Sequence, residues 1–176
     1  MLVVAATEHE LALLEGADTL CCGVGPVEAA ARVAAALVTH RPEAVLHVGI
    51  AGSRTIEPLT VVLGSIAVYE DFRTAFPAVD HVEPDEALLV RARALLPEAR
   101  VLPIGTSASV GGTTQCEVEA MEGFGVLRAC ALAGVPAVEL RVIANSPDEP
   151  DRAKWRFDEA FAALAGAVER VLRSES

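Results

Sequence analysis

The chain has 176 residues, of which 52% are hydrophobic and 22% are charged; this predicts one globular domain over residues 1–176 and excludes a disordered or fibrous chain. Its 14 basic and 25 acidic residues give a formal net charge of −11, which repels phosphate backbones and anionic lipids. We therefore expect no nucleic-acid or membrane partner, and a small molecule as the ligand.

The first half of the chain predicts strands around one helix. Leu2 to Ala6 and Ala44 to Val48 are short apolar runs, which are typical of strands covered on both faces. Between them, the glycine turn Gly23-Val24-Gly25 leads into Pro26, a residue favoured in the first turn of a helix. We expect an alanine-rich helix from there to about Val38, and a strand over Val61 to Tyr69.

The second half continues this alternation. Helical spacing of apolar residues predicts helices over Pro84 to Leu96, Glu117 to Ala133 and Phe157 to Val171. Apolar runs predict strands over Val101 to Ile104 and Ala137 to Ala144. Strands that alternate with helices predict a three-layer αβα sandwich around a mixed, largely parallel sheet.

Polar residues follow several of the predicted strands. Sheets of this class bind ligands beyond the carboxyl ends of their strands, so these residues are the first candidates for a site. The candidate segments are Thr7 to Glu10, His47 to Ser53, Thr106 to Thr113 and the chain from Asn145 onward, joined by Met121 and Glu122.

Three of these positions leave alternatives open. A carboxylate at Glu8 or Glu10 either acts as a general base toward water or lies in a solvated first helical turn, and spacing alone favours the solvated turn. Glu122 borders the apolar stripe of its predicted helix, so it is either a surface acid or a carboxylate that binds a sugar diol. Asn145 either begins the turn Asn-Ser-Pro-Asp or offers its amide to a ligand.

Motifs for other chemistries are weak. The Gly23-Val24-Gly25 turn sits where a dinucleotide fingerprint would, but Glu28 replaces the third glycine and opposes a pyrophosphate; the turn either only reverses the chain or also borders a ligand. No GxSxG, HExxH or Walker sequence occurs. His47 has no second histidine or cysteine at ligand spacing, so we expect neither a metal nor a cofactor.

The cysteines and the first residues indicate a compartment. Neither a CxxC pair nor zinc spacing occurs among the four cysteines, Cys21, Cys22, Cys116 and Cys130, which is typical of reduced thiols. The opening MLVVAATEHE lacks the basic region of a secretion signal. We therefore expect a cytoplasmic protein.

Five segments share their order and spacing with a known family: VVAATEHEL, GVGPVEAA, HVGIAGS, VEAMEGFG and VPAVELRVIAN. Through them the chain resembles the nucleoside phosphorylase and nucleosidase superfamily over nearly its whole length. Within it, the chain is most similar to the futalosine hydrolases and next to the methylthioadenosine/S-adenosylhomocysteine nucleosidases. The resemblance implies a nucleoside phosphorylase-like fold and an enzyme of menaquinone biosynthesis that cleaves the N-glycosidic bond of a purine nucleoside.

The resemblance also assigns roles to individual residues. By that likeness Glu10 orients the attacking water, Glu122 holds the ribose hydroxyls, and Asn145 handles the base as the leaving group. The remaining positions are Ile50, Ala51 and Gly52 beside the ribose and base, Val110 and Gly111 as backbone that frames the purine, and Met121 under the ribose.

Physical reasoning chooses among the members of this superfamily. A phosphorylase must hold a phosphate dianion, usually with arginines, whereas His47 precedes the GIAG loop here and the nearest basic residue, Arg54, lies beyond it. Hydrolysis is therefore favoured over phosphorolysis. The Asn145 amide cannot protonate a departing adenine, but its NH₂ can donate to N7 or to a 6-oxo group. Hypoxanthine, the base of futalosine, is therefore favoured over adenine.

Departures from the family pattern leave other functions open. The chain is short around Thr74 to Glu86 and before Met121, and Thr106 to Thr113 has no aromatic residue to stack on a base. A homo-oligomer, most simply a dimer, could complete the pocket, although we expect the alanine-rich face Ala29 to Ala36 to pack on the sheet rather than on a partner. The alternatives are a methylthioadenosine/S-adenosylhomocysteine nucleosidase, a purine nucleoside phosphorylase, a non-catalytic nucleoside-binding module and an interaction protein.

Overall fold

Strands and helices alternate along the chain in a computed structural model that describes residues 1–112 and 115–173. Within these residues the strands are β1 Leu2–Ala5, β2 Thr19–Cys21, β3 Val45–Ser53, β4 Val61–Tyr69, β5 His81–Val82, β6 Arg100–Thr106, β7 Val118–Ala120 and β8 Ala137–Asn145. The helices are α1 Glu8–Leu11, α2 Pro26–His40, α3 Glu86–Leu95, α4 Gly123–Ala133 and α5 Phe157–Arg173, with a 3₁₀ turn at Arg152–Lys154. Thr113, the last residue of a candidate segment named above, lies outside the described residues.

The strands form one mixed sheet whose centre closes on itself. β3 pairs with β7, β7 with β6, β6 with β4, β4 with β8, and β8 returns to β3. β1 and β2 extend the sheet beyond β3, and β5 extends it beyond β4. Among the described residues, five of the eight strand pairings are parallel, so the predicted α/β fold with a mixed, largely parallel sheet is confirmed.

The three-layer αβα sandwich is not confirmed, because the central strands form a barrel-like ring instead of one flat middle layer. The register of β3 against β8 shifts between Ala51 and Gly52, and that of β4 against β6 shifts between Gly64 and Ile66. Such irregularities bend a strand, and glycine tolerates the close approach that a bend requires. Periodicity along the sequence carries no sign of which strands bend toward each other.

Helices cover the outside of the ring on two sides. α1, α3 and α5 pack over a core that includes Leu46, Leu140 and Leu164, and α2 and α4 pack over a second core around Val33 and Leu127. Each such fully buried side chain contributes roughly 1.5–3 kcal/mol to folding. Side chains from all five strands of the ring fill its interior: Ala51, Val62, Ile104, Val118, Ala120 and Ile143. Among the described residues, no helix combines the length and apolarity that crossing a bilayer requires.

One predicted helix is wrong at its start. Residues 117–122 do not continue α4; instead β7 runs through Val118–Ala120 and pairs with β3 and β6. The apolar spacing from Ala120 to Phe124 imitates a helix, but α4 begins only at Gly123. The predicted loop Thr74 to Glu86 also contains β5, which pairs with β4.

Candidate active site

A cavity of about 490 Å³ opens at the carboxyl ends of β1, β3 and β8. Eight of the nine residues to which the resemblance assigns roles line it: Glu10, Ile50, Ala51, Gly52, Val110, Met121, Glu122 and Asn145. The ninth, Gly111, adjoins the cavity, because its N–H donates to the cavity-lining Glu119 over an N–Oε1 distance of 2.7 Å. The tertiary structure thus brings these distant parts of the chain to one place.

A capping box at the start of α1 holds Glu10. Its Oε2 accepts hydrogen bonds from the backbone N and the Oγ1 of Thr7, at 3.0 and 2.9 Å, and its Oε1 accepts one from the backbone N of Ile50 at 3.0 Å. Glu10 is only 7% exposed, so the solvated turn favoured by spacing alone is wrong for this residue, although Glu8 beside it is exposed. Three donors from two elements leave the carboxylate little freedom to rotate.

Glu122 occupies the turn between β7 and α4, at the N-cap of the helix. It is 4% exposed, so the surface alternative is wrong. Its Oε1 accepts the backbone N–H of Gly25 at 3.1 Å, and its Oε2 lies 3.6 Å from Nη2 of Arg141. Burial raises the pKa of Glu122, and the positive charge of Arg141 opposes that rise.

The glycine turn before α2 therefore does more than reverse the chain. Gly25 has a φ of 93°, a conformation that glycine adopts readily, and this directs its N–H to Glu122. Val24 of the same turn lines the cavity. Of the two readings left open by the sequence, the turn that also borders the cavity is the one observed.

Arg141 is one of the residues near the site that sequence reasoning missed. It is 1% exposed and lies beneath Gly49, where any side chain would collide with its guanidinium. Its Nε donates to Oε1 of Glu139 at 2.8 Å, and Nη2 faces both Glu122 and Nε2 of His47. Burial opposes the charge of Arg141, but the carboxylates of Glu139, Glu122 and Glu10 raise its pKa overall.

A local signal for this buried pair does exist in the sequence. β8 alternates apolar residues with Glu139 and Arg141, yet the whole strand except its last residue is buried. Acidic and basic residues two positions apart share one face of a strand. Buried charges are nearly always paired, so Glu-x-Arg inside an otherwise apolar strand indicates an internal ion pair.

His47 contacts Arg141 in this buried cluster and is not one of the residues that line the cavity. Its Nδ1 lies 3.0 Å from the carbonyl oxygen of Val4, and its Nε2 faces the Arg141 guanidinium. Complete burial, followed by the nearby positive charge of Arg141, lowers the pKa of His47 well below its ordinary value. His47 is therefore neutral at physiological pH: Nδ1–H donates to Val4 and Nε2 accepts from Arg141.

Removing the cation from this cluster is expected to destabilise the fold. In Arg141→Met, the carboxylates of Glu122 and Glu139 stay buried without their partner, which costs about 3–5 kcal/mol. Burial already raises both of their pKa values above the ordinary 4.5. The folded state consequently binds their protons more tightly than the unfolded state does, and stability from this source is lost as the pH rises above about 4.5.

The loss of Arg141 raises the same two pKa values further, so the difference in unfolding free energy between wild type and variant should be largest at pH 7 and shrink toward pH 5. Urea denaturation at both pH values measures it. Arg170→Met is the control, because Arg170 is half exposed, pairs with Glu98 at the surface and should lose little at either pH. If Arg141→Met lost the same unfolding free energy at both pH values, Arg141 would not be the charge that compensates the buried carboxylates of Glu122 and Glu139.

Asn145 and Gly52 lie side by side at the end of the paired strands β8 and β3. A side chain at Gly52 would begin 3.4 Å from Nδ2 of Asn145, so glycine leaves the amide open to the cavity. Beyond it, Arg54 ties the surrounding loops together: Nε donates to Oδ1 of Asp148 at 3.0 Å and Nη2 donates to the carbonyl of Gly111 at 3.4 Å.

Aromatic side chains that sequence reasoning did not connect with a ligand also line the cavity. They are Phe157 and Phe161 of α5, and Trp155, which lies two residues before the helix. Trp155 meets Phe157 edge to face with ring centroids 5.5 Å apart, and Phe157 stacks on Phe161 at 6.2 Å. Helical spacing predicted Phe157 and Phe161 only as apolar positions of a C-terminal helix, because spacing does not show where a core ends and a cavity begins.

The fold and the site together define an α/β protein with a small-molecule pocket built around buried carboxylates. Residues 19–174 match the family model described as the phosphorylase superfamily, and the chain belongs to that superfamily. The predicted resemblance is therefore confirmed.

Within the superfamily, the chain is similar to individual hydrolases and nucleosidases. The chain is 37% identical over 192 aligned positions to a futalosine hydrolase of Streptomyces coelicolor, covering 90% of this chain and 80% of the relative. Its fold matches a structure of a futalosine hydrolase mutant of Helicobacter pylori, with a TM-score of 0.89 at 17% identity and 98% coverage of both chains. It also matches an S-adenosylhomocysteine nucleosidase of Streptococcus pyogenes, with a TM-score of 0.86 at 19% identity, covering 98% of this chain and 95% of the other.

Proposed function

We propose that this protein hydrolyses the N-glycosidic bond of futalosine, releasing hypoxanthine and the modified ribose, as a step of menaquinone biosynthesis. The observation that carries the proposal is the meeting of Glu10, Glu122 and Asn145 in one cavity. The futalosine hydrolase of Streptomyces coelicolor, 37% identical over most of both chains, supports this choice of substrate.

The proposed reaction begins with the ribose. Glu122 accepts hydrogen bonds from the ribose hydroxyls, while Arg141 and the Gly25 N–H hold its carboxylate in place and favour its charged form against the effect of burial. Met121 lines the cavity next to it and packs under the sugar. As the bond to the base lengthens, positive charge develops on the ribose as an oxocarbenium ion, and nearby carboxylates stabilise that charge.

Glu10 then acts on the water. Its two oxygens are already oriented by Thr7 and Ile50, so a remaining lone pair can accept a proton from a water molecule that attacks the anomeric carbon. On the side of the base, the Asn145 NH₂ donates to N7 or O6 of hypoxanthine and stabilises the negative charge that leaves with it. The base anion then takes a proton from solvent, to which Glu10 returns the proton that it took from water. Each such preorganised contact contributes about 2.7–4 kcal/mol in comparable sites.

The surroundings of the arginines support hydrolysis over phosphorolysis. Arg141 lies close to the cavity but is 1% exposed and enclosed by carboxylates, which would repel a phosphate dianion. Arg54 is bonded to Asp148 and to the Gly111 carbonyl. Neither guanidinium is presented to an anion in the cavity.

Release of free base from futalosine, inosine and methylthioadenosine, with and without phosphate, tests the proposal. Hypoxanthine should appear from futalosine at the same rate in both buffers. Comparison with inosine, which has the same base and an unmodified ribose, measures what the modification of the ribose contributes to recognition. If base release requires phosphate, the protein is a phosphorylase. If methylthioadenosine is the preferred substrate, it is a methylthioadenosine/S-adenosylhomocysteine nucleosidase. If nucleosides bind but no base is released, it is a non-catalytic binding module.

We further propose that residues 1–176 act as one cytoplasmic nucleosidase domain that assembles as a symmetric homodimer. Four free cysteines support the cytoplasm. Within the alanine-rich stretch of α2, Ala29 and Ala36 pack on the core as expected, but Ala31, Ala34 and Ala35 are exposed. On the outer faces of α2 and α4, Val27, Val38 and Leu132 are 72–76% exposed. Two cavities of about 500 and 540 Å³ lie along these helices. A second copy related by a two-fold axis would cover this apolar surface.

Leu132→Glu is expected to break this dimer, because the substitution places a charge in an apolar contact. Light scattering after size exclusion should give the mass of two chains for wild type and of one chain for the variant. Val90→Glu is the control: Val90 is 63% exposed on α3, outside the proposed interface, and its replacement should leave the mass unchanged. A monomeric wild type would refute the proposal.

A further inference from the structure

We infer that Glu119 selects the base: its carboxylate accepts the N1–H of a 6-oxopurine and so rejects the adenine ring. This inference rests on the proposed function. It starts from a residue to which neither the resemblance nor the mechanism above gives a role, and which lies beside the leaving-group amide.

Strand pairing sets the position of Glu119. Gly52 pairs with Glu119 of β7 on one side and with Asn145 of β8 on the other, so the two side chains flank the same glycine. A side chain at Gly52 would begin 3.2 Å from Cγ of Glu119 and 3.4 Å from Nδ2 of Asn145. Both residues line the cavity. A side chain at Gly52 would also begin 3.1 Å from Cγ of Pro147, so the glycine keeps the space between the two groups free of a side chain.

The hydrogen bonds of Glu119 are incomplete. Its Oε1 accepts the N–H of Gly111 at 2.7 Å, but its Oε2 is buried and has no hydrogen-bond partner among the described residues. A buried polar atom without a partner is costly and calls for an explanation. A ligand N–H that reaches this carboxylate would supply the missing donor. Glu139 Oε2 is also without a partner, but Glu139 belongs to the Arg141 cluster and does not line the cavity.

The chemistry of the purine edge then determines which base fits. Along one edge a 6-oxopurine presents N7 as acceptor, O6 as acceptor and N1–H as donor; adenine presents an acceptor, a donor and an acceptor. The Asn145 NH₂ matches the first part of the 6-oxopurine pattern, and a carboxylate oxygen, which accepts, matches N1–H. Against adenine the same carboxylate would face the lone pair of N1. Asn145 and Glu119 together therefore read opposite hydrogen-bonding groups of one edge.

Glu119→Gln isolates this effect. The glutamine Oε1 can still accept the Gly111 N–H, so the loop stays anchored, while its NH₂ replaces the acceptor with a donor. We expect kcat/KM for inosine to fall and that for adenosine to rise, changing their ratio by about 10- to 100-fold, which corresponds to one unsatisfied buried group. The Kd values of hypoxanthine and adenine, measured by calorimetry, should move in the same opposite directions.

Glu117→Gln is the matched control, since Glu117 lies two residues earlier with a half-exposed side chain and should leave the ratio unchanged. Equal melting temperatures of the variants and wild type establish that folding is intact. A Glu119→Gln enzyme that keeps the wild-type ratio and both product affinities overturns the inference while the proposed hydrolysis stands. A wild-type protein that releases no base from any nucleoside overturns the proposed function instead, and the Kd values then still test base selection alone.

Discussion

Glu10→Gln is expected to lower kcat for futalosine by about 10²- to 10⁴-fold, the range that removal of a general base produces. Glutamine keeps the shape of the side chain and can accept the Ile50 N–H through its amide oxygen, but its NH₂ then faces the Thr7 N–H, which loses its acceptor. An unchanged melting temperature therefore has to establish that the pocket remains formed. The glutamine cannot take a proton from water. Release of free hypoxanthine, followed by chromatography, measures kcat, and calorimetry with inosine measures binding, which should change little.

Glu8→Gln controls for the altered charge of α1, because Glu8 belongs to the same helix turn but its side chain is exposed. It should hydrolyse at the wild-type rate. If Glu10→Gln also turned over at that rate, Glu10 would not activate the water, and the proposed mechanism would lose its nucleophilic step.

Asn145→Asp is expected to shift preference from hypoxanthine nucleosides toward adenine nucleosides. An aspartic acid can protonate N7 of a departing adenine, which the amide cannot do. Glu119 lies nearby across Gly52, and a neighbouring carboxylate favours the protonated form of a second acid. The ratio of kcat/KM for methylthioadenosine to that for inosine should rise by about 10²- to 10⁴-fold, the range that polar pairing at a buried site can produce.

Asn145→Ala provides the comparison, because it removes the amide without adding an acid. Both substrates should then react more slowly, with no gain for methylthioadenosine. An Asn145→Asp enzyme with the wild-type substrate ratio would show that base preference is set elsewhere, with Glu119 the first residue to test.

Local patterns in the sequence sufficed for the parts of the site that depend on neighbours in the chain. The Thr7-x-x-Glu10 spacing is that of a capping box, a local signal that the sequence analysis did not use, and it holds one oxygen of Glu10 while Ile50 of β3 holds the other. Asn145 ends an apolar strand and is found at that strand end. Likewise the α/β alternation follows from the period of apolar residues, which is a property of each segment by itself.

Contacts between distant segments decided the rest. The closed ring of strands, the strand β7 inside a predicted helix, and the aromatic lining from Trp155 to Phe161 all depend on which segments meet. Arg141 appears as an ordinary charged residue in the sequence, and only the fold surrounds it with acids from β8, α1 and the start of α4.

The sequence by itself determined the residue types, the local conformation of most segments, β5 and β7 excepted, and the order in which polar groups follow strands. Tertiary structure alone decided that Glu122 is buried against Arg141 and that Glu119 and Asn145 flank Gly52. The physical reason is that burial, ion pairing and hydrogen bonding across strands are properties of groups brought together in space. Periodicity can describe the conformation of each segment, but it carries no information about which segments become neighbours.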